Sequence, residues 1–231
     1  MQKQNTLGPR ATMSILGFTS GFVDTLGFIA LFGLFAAHIT GNVVLIAATL
    51  VDQGHGLLIK FLAIPIFIVA AIVTRLYIIH RERHRLDATT HVLLAKSVLL
   101  IAFMAMALAS APFSHPDSSA AIATGLLAAA AMGVQNTAAR TFMNGLPPTT
   151  VMTGNLMQII VDVVDILLGH GKREPKLDRL SRLVPLTAAF TAGAILGAVG
   201  YATVGFLALL VPILVSLTLG LFGRPHPAAV A

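Results

Sequence analysis

Apolar runs about as long as a bilayer is thick recur along almost the whole chain, and they leave few folds open. Segments near 11–37, 58–80, 91–111 and 119–141, and a longer run over 183–222, are dominated by Leu, Ala, Ile, Val, Phe and Gly. A helix of about 20 such residues crosses the roughly 30 Å hydrocarbon core. Backbone N–H and C=O groups meet no water there, so only helices or a closed barrel satisfy them. The runs lack the ten-residue alternation of barrel strands. The expected fold class is all-α and integral to the membrane.

Composition supports this. Of 231 residues, 56% are hydrophobic and 10% charged, with a mean hydropathy of +0.88. Soluble domains carry roughly 25% charged residues. The chain has no cysteine, which excludes disulfides and thiolate metal sites. Its net charge of +6 sits in short loops between apolar runs. That placement marks membrane orientation, and no nucleic-acid partner is expected. Lys3 and Arg10 precede a run too long for a signal-peptide core, so the run is read as a retained first span.

Two further apolar segments do not suit ordinary spans. From Thr40 to Val51 there are twelve residues, or about 18 Å of helix against about 30 Å of hydrocarbon. The segment 151–168 carries Asn155, Gln158, Asp162 and Asp165. If both cross fully with the N-terminus inside, Arg81, Arg83 and Arg85 fall outside, against the positive-inside rule. If both are re-entrant or interfacial, that loop is inside, as are Lys172–Arg182 and Arg224. Lys60 is then the only one of 15 Lys and Arg residues assigned outside. This predicts six transmembrane helices, with a break near Gly205 inside the last run, plus two short re-entrant or interfacial helices. Both termini are expected in the cytoplasm.

An internal repeat points the same way. Thr40-Gly41-Asn42 recurs as Thr153-Gly154-Asn155, and an acid follows ten residues after each Asn, at Asp52 and Asp165. Upstream, Gly21-Phe22-Val23-Asp24-Thr25 aligns with Gly133-Val134-Gln135-Asn136-Thr137. Gly17 and Gly21 correspond to Ala129 and Gly133, at close-packing spacing. The chain is read as one membrane domain, 1–231, with repeat one over 11–111 and repeat two over 119–222. Three spans per repeat make the second repeat inverted, an arrangement that places transporter sites at the repeat interface.

The stretch Gly17–Leu50, with its Gly-Phe-Val-Asp and His38-Ile39-Thr40-Gly41-Asn42 runs, resembles the YoaK-like bacterial membrane proteins. So do Met132–Asn136 and Val151–Asn155. The resemblance covers most of the chain. It implies a bacterial inner-membrane protein of a family with a domain of unknown function, and it supplies no substrate.

The candidate site is drawn from the residues alone. Asp24 lies about 20 Å into the first span, near the bilayer middle, where an acid faces a cavity or a partner. Its repeat mate is the amide Asn136. The competing reading makes Asp24 polar glue between spans. The Thr-Gly-Asn motifs suit helix starts, with Thr or Asn capping free N–H groups and Gly allowing close approach. Two re-entrant starts would aim N–H donors at the midplane; plain capping is the alternative. The expected substrate-binding set is Asp24, Thr40, Asn42, Gln135, Asn136, Thr153 and Asn155. For Gln135, interhelical hydrogen bonding competes with a polar path. His38 is a candidate gating or proton group, and Arg75 a snorkelling side chain. Asp162 and Asp165 share a helix face and are expected to pair with nearby Lys172 and Arg173. Pro65 and Pro212 are expected to kink their spans, Gly193 and Gly197 to pack closely, and Gly145–Pro148 to form a turn.

The leading functional expectation is a small transporter or channel for an ion or small solute. A membrane scaffold or assembly factor is the main alternative. An intramembrane enzyme is disfavoured, since no Gly-x-Ser-x-Gly, metal-ligand spacing or nucleotide loop is present. No cofactor and no catalytic or metal residue is expected. The expected partners are the lipid bilayer, a small solute or ion and, if the protein self-assembles, further copies of the chain.

Overall fold

A computed structural model describes residues 8–52, 56–142 and 147–222. Lys3, Gly145, Leu146 and Arg224 lie outside the described residues. Among those described, the elements are α1 (Pro9–Ala30), α2 (Ile39–Asp52), α3 (Leu57–Arg83), α4 (Thr89–Ser110), α5 (Ser119–Phe142), α6 (Met152–Leu167), α7 (Arg173–Val204) and α8 (Leu210–Phe222). A 3₁₀ turn, Gly205–Leu209, joins the last two. No strand occurs among the described residues. Among the described residues, five helical runs are long and apolar enough to cross a membrane: α1, α3, α4, α5 and the continuous run Arg173–Phe222. This is a multi-pass, all-helical membrane protein.

The long last run breaks where the sequence suggested. Gly205 takes φ 61° and ψ −141°, a conformation closed to side-chain-bearing residues. The 3₁₀ turn and α8 together extend about 30 Å. Pro212 sits in the first turn of α8, where its missing N–H costs little. Pro65 lies inside α3, which continues through it.

Two boundaries differ from the sequence reading. α1 stops at Ala30, seven residues short of the apolar run's end. Phe32 (φ 55°) and Gly33 (φ 80°) turn the chain back, and the apolar Leu31, Leu34, Ala36 and Ala37 fill the interior as loop. Hydrophobicity alone does not separate a helix from a buried loop. α7 starts ten residues before its apolar part, because its charged first turns are held by ion pairs described below.

Helix pairing depends on small residues. α1 lies along α7, and α3 along α5. A Cβ on Gly21 would meet the Phe190 carbonyl oxygen at 2.1 Å, and one on Gly193 the Phe18 carbonyl oxygen at 2.1 Å. Gly197 faces the Phe22 carbonyl, and Gly133 the Phe67 carbonyl, in the same way. The backbones touch, so packing there rests on van der Waals contact. α4 completes the core against α5 and α8. The shorter α2 and α6 lie on α3 and α7 respectively.

Candidate functional site

Asp24 is buried on α1, and its carboxylate organises the chain beyond the helix end. Oδ1 accepts the backbone N–H groups of Ala37 at 2.6 Å and His38 at 3.4 Å. Oδ2 lies 2.5 Å from Nδ1 of His38, so acid and imidazole share a hydrogen bond. The His38 ring packs edge-on between Phe35 and Phe190, at 6.0 and 5.5 Å between centroids. The backbone carbonyl of Thr150, in the loop between α5 and α6, also faces this imidazole.

Thr150 in turn reaches α5. Its hydroxyl donates to Asn136 Oδ1 at 2.7 Å, while Asn136 Nδ2 donates to the Met132 carbonyl at 2.9 Å. Two hydrogen-bonded pairs, Asp24–His38 and Thr150–Asn136, therefore lie next to one another, one in each loop, and form a polar path between α1 and α5. Next to Thr150, the buried Thr149 hydroxyl has no partner among the described residues.

The two loops are held in matching ways. Asp24 bonds His38 fourteen residues ahead, and Asn136 bonds Thr150 fourteen residues ahead. Asn42 Nδ2 donates to the carbonyl of Phe35, seven residues back, at 2.7 Å. Asn155 Nδ2 donates to the carbonyl of Pro148, also seven back, at 2.9 Å. Asn42 Oδ1 further accepts the Phe35 N–H at 2.9 Å. Position 148 is a proline, with no N–H to offer. Both asparagines thus staple the preceding loop to a helix start. They do not cap the helices, as the motif had suggested; Val151, at the start of α6, makes no side-chain cap bond.

The other expected site residues divide. Thr40 and Thr153 are exposed in the first turns of α2 and α6, apart from the polar path. Gln135 is fully buried and serves helix packing: its Oε1 accepts from Thr19 at 2.8 Å, and its Nε2 donates to Ser20 at 2.6 Å and to the Leu16 carbonyl at 3.0 Å. A residue the sequence reading passed over joins this cluster. Lys96 on α4 is 0% exposed and donates to Thr19 Oγ1 at 3.1 Å. Its signal was a lysine seven residues into an apolar helix. Thr150 was also legible, because its offset from His38 equals that between Asn136 and Asp24.

Asp162 and Asp165 form salt bridges, but with other partners than expected. Arg179 clasps Asp162 with Nε to Oδ2 at 2.7 Å and Nη2 to Oδ1 at 2.5 Å, and Lys176 pairs Asp165 at 2.7 Å. The chain reverses at Gly169 and Gly171, both at φ 67°, so acids three apart on α6 meet bases three apart on antiparallel α7. Lys172 and Arg173 lie at the turn itself. The Arg179 guanidinium holds the Asp162 carboxyl below the usual carboxylate range, against burial and with help from Gln158. Arg75 is exposed and 3.7 Å from Glu82, one helical face along. The His80 and His84 rings touch at 4.7 Å. Among the described residues, no group of three or more His, Asp and Glu is arranged to hold a metal ion.

Chemically, the Asp24–His38 pair can hold or pass a proton, and the hydroxyls and amides beside it can bind a polar solute. Comparison with known proteins gives a family but no ligand. The model of the family described as "Protein of unknown function (DUF1275)" matches residues 12–222. UPF0700 transmembrane protein YoaK of Bacillus subtilis (strain 168) is 25% identical over 151 residues. That match covers 65% of this chain and 65% of the relative, just under two thirds of either. No solved structure matches.

Proposed function

The chain belongs to the DUF1275 family, and from that premise and the polar path between its two interhelical loops we propose that it is a small transporter or channel for an ion or small solute. In this reading it sits in the bacterial inner membrane with both termini cytoplasmic, and it is not an enzyme. Residues 11–111 and 119–222 are two inverted repeats. α2 and α6, about 21 and 24 Å long, are re-entrant or interfacial, and the remaining helices make six crossings.

One observation carries the reading. The acid–imidazole pair Asp24–His38 faces the Thr150 carbonyl in the loop of the other half, and each half ties its own loop down with bonds at the same spacings of fourteen and seven residues. Polar groups at bilayer depth are expensive unless they serve a partner, water or a ligand. The buried Thr149 hydroxyl next to Thr150, without a partner among the described residues, adds a donor and acceptor. Contacts between α1 and α7 and between α3 and α5 pair the first helix of each half with the third helix of the other, which is consistent with two related repeats of either orientation. A scaffold needs no such centre.

A thermal-shift screen of the purified protein against inorganic ions, organic anions and small neutral metabolites tests the proposal. A binder raises apparent stability by mass action. The expected result is a stabilising compound whose effect is lost in Asp24→Asn. Stabilisation by none of the three classes, together with no solute flux in vesicles containing the protein, would favour the scaffold reading.

A further inference from the structure

Lys96 is 0% exposed, between Leu93 and Leu100, which are themselves buried. Its Nζ donates to Thr19 Oγ1 at 3.1 Å, and no carboxylate among the described residues lies within 4.0 Å of it. An ammonium has three N–H donors, and among the described residues only one of them meets an acceptor. A full charge in such a place is balanced by a counter-ion or given up as a proton.

The partner of Lys96 is itself at a decision point. The Thr19 hydroxyl has one hydrogen and two acceptors in reach, Gln135 Oε1 at 2.8 Å and the Leu16 carbonyl at 3.0 Å. While Lys96 is an ammonium, Thr19 must accept from it and gives its own hydrogen to one of those two. A free amine carries a lone pair, so the direction can reverse. Thr19 can then donate to Nζ, and Gln135 Oε1 loses its donor from α1. The proton leaving Nζ goes to the aqueous phase, and no other bond is made or broken.

We propose that Lys96 is a proton-binding site whose occupancy sets the Thr19–Gln135 hydrogen bond, and so couples α4 to the α1–α5 contact. The ligand is the proton itself. This rests on the packing of α1, α4 and α5 and does not require the transport reading. The titratable groups on the elements around it are few. α1 carries Arg10 and Asp24, and α5 carries Arg140; α8 and the 3₁₀ turn carry none, and α4 itself adds His91. From α3, Tyr77 approaches α4 at His91. Asp24 lies five residues beyond Thr19, about 7.5 Å along α1, and its carboxylate is engaged by His38 and the loop backbone.

The test uses the full chain in lipid nanodiscs with isotope-labelled lysine and glutamine, followed by NMR as pH is varied. The Lys96 Nζ signal is expected to change between ammonium and amine while the protein stays folded, and the Gln135 side-chain amide is expected to shift in step with it. In Lys96→Met the Gln135 shift disappears. If that variant does not fold, Lys96→Arg keeps a cation that does not release its proton, and Gln135 is expected to stay fixed. Thr19→Val is expected to leave the Lys96 signal titrating while Gln135 falls silent. A Lys96 signal that remains ammonium over the whole folded range overturns the proposal. So does a Gln135 shift that persists in the Lys96 variants.

Discussion

His38 Nδ1 lies 2.5 Å from Asp24 Oδ2, across the fourteen residues in which α1 ends and the chain turns back. The side chain of Asp24 is 5% exposed and that of His38 31%, so the acid is sealed and the imidazole faces outward from it. Through Ala37 and His38, the same carboxylate also fixes the loop backbone.

Asp24 therefore has two separable roles. Asp24→Asn keeps an acceptor for the Ala37 N–H, and it is expected to fold but lose ligand stabilisation. Asp24→Ala strands two backbone N–H groups and is expected to cost about 3 kcal/mol. Thermal unfolding in detergent, with and without a ligand from the screen, distinguishes the two. Equal ligand response in Asp24→Asn and wild type would reduce Asp24 to structural glue.

Backbone contact between α1 and α7 predicts a sharp contrast among glycines. Gly21→Ala and Gly193→Ala each place a Cβ 2.1 Å from a carbonyl oxygen that cannot swing aside. Each is expected to lose about 3 kcal/mol or more. Gly154→Ala, whose nearest neighbour is a Val151 methyl at 3.4 Å, is expected to stay near wild type. Comparable melting temperatures for all three variants would contradict the packing.

The two loop-stapling asparagines are not equivalent. Asn42 both donates to and accepts from Phe35, whereas the Asn155 amide donates to the Pro148 carbonyl and, at 3.9 Å, weakly to Met152 Sδ. Asn42→Ala is expected to cost about 1 kcal/mol more than Asn155→Ala, the worth of one further hydrogen bond. Paired denaturation curves measure this, and a reversed order would count against it.

The clasp between α6 and α7 gives a pH dependence with a definite sign. α6 is not among the helices long enough to cross the membrane. Arg179 depresses the folded-state pKa of Asp162, so the folded state binds fewer protons than the unfolded one. The pair's stabilisation is complete above the unfolded carboxylate value of about 3.9. It is lost as pH falls through the depressed folded value. Asp162→Asn should flatten the acid side of the stability profile and leave neutral pH dependence unchanged. An unaltered acid slope in that variant would exclude the clasp as its source.

Orientation is open to direct labelling, because the chain has no native cysteine. Cysteines replacing Arg83 or Lys172 are expected to react with an impermeant reagent only from the cytoplasmic side, and one replacing the exposed Ser114 only from the outside. Labelling of position 83 from outside would overturn the six-crossing topology.

The apolar runs, the break at Gly205 and the close-packing glycines could be read from the residues alone. Length and hydrophobicity set helix existence wherever backbone groups must pair internally, and a glycine at helix–helix spacing announces contact whatever its partner. The paired Thr-Gly-Asn motifs and the Asp24–Asn136 correspondence were equally visible. The partners were not. A buried loop such as Leu31–His38 is as hydrophobic as a helix, so only the folded chain shows that α1 stops at Ala30 and that Asp24 reaches His38. Sequence neighbours Lys172 and Arg173 looked like the bases for Asp162 and Asp165, but the reversal at Gly169–Gly171 brings Lys176 and Arg179 to them. Lys96 stands in an apolar segment of the sequence, yet that no carboxylate among the described residues pairs with it depends on three helices at once. Spacing along a chain fixes which residues share a helix face. Which faces meet depends on loops and crossing geometry, and that only the tertiary structure decided.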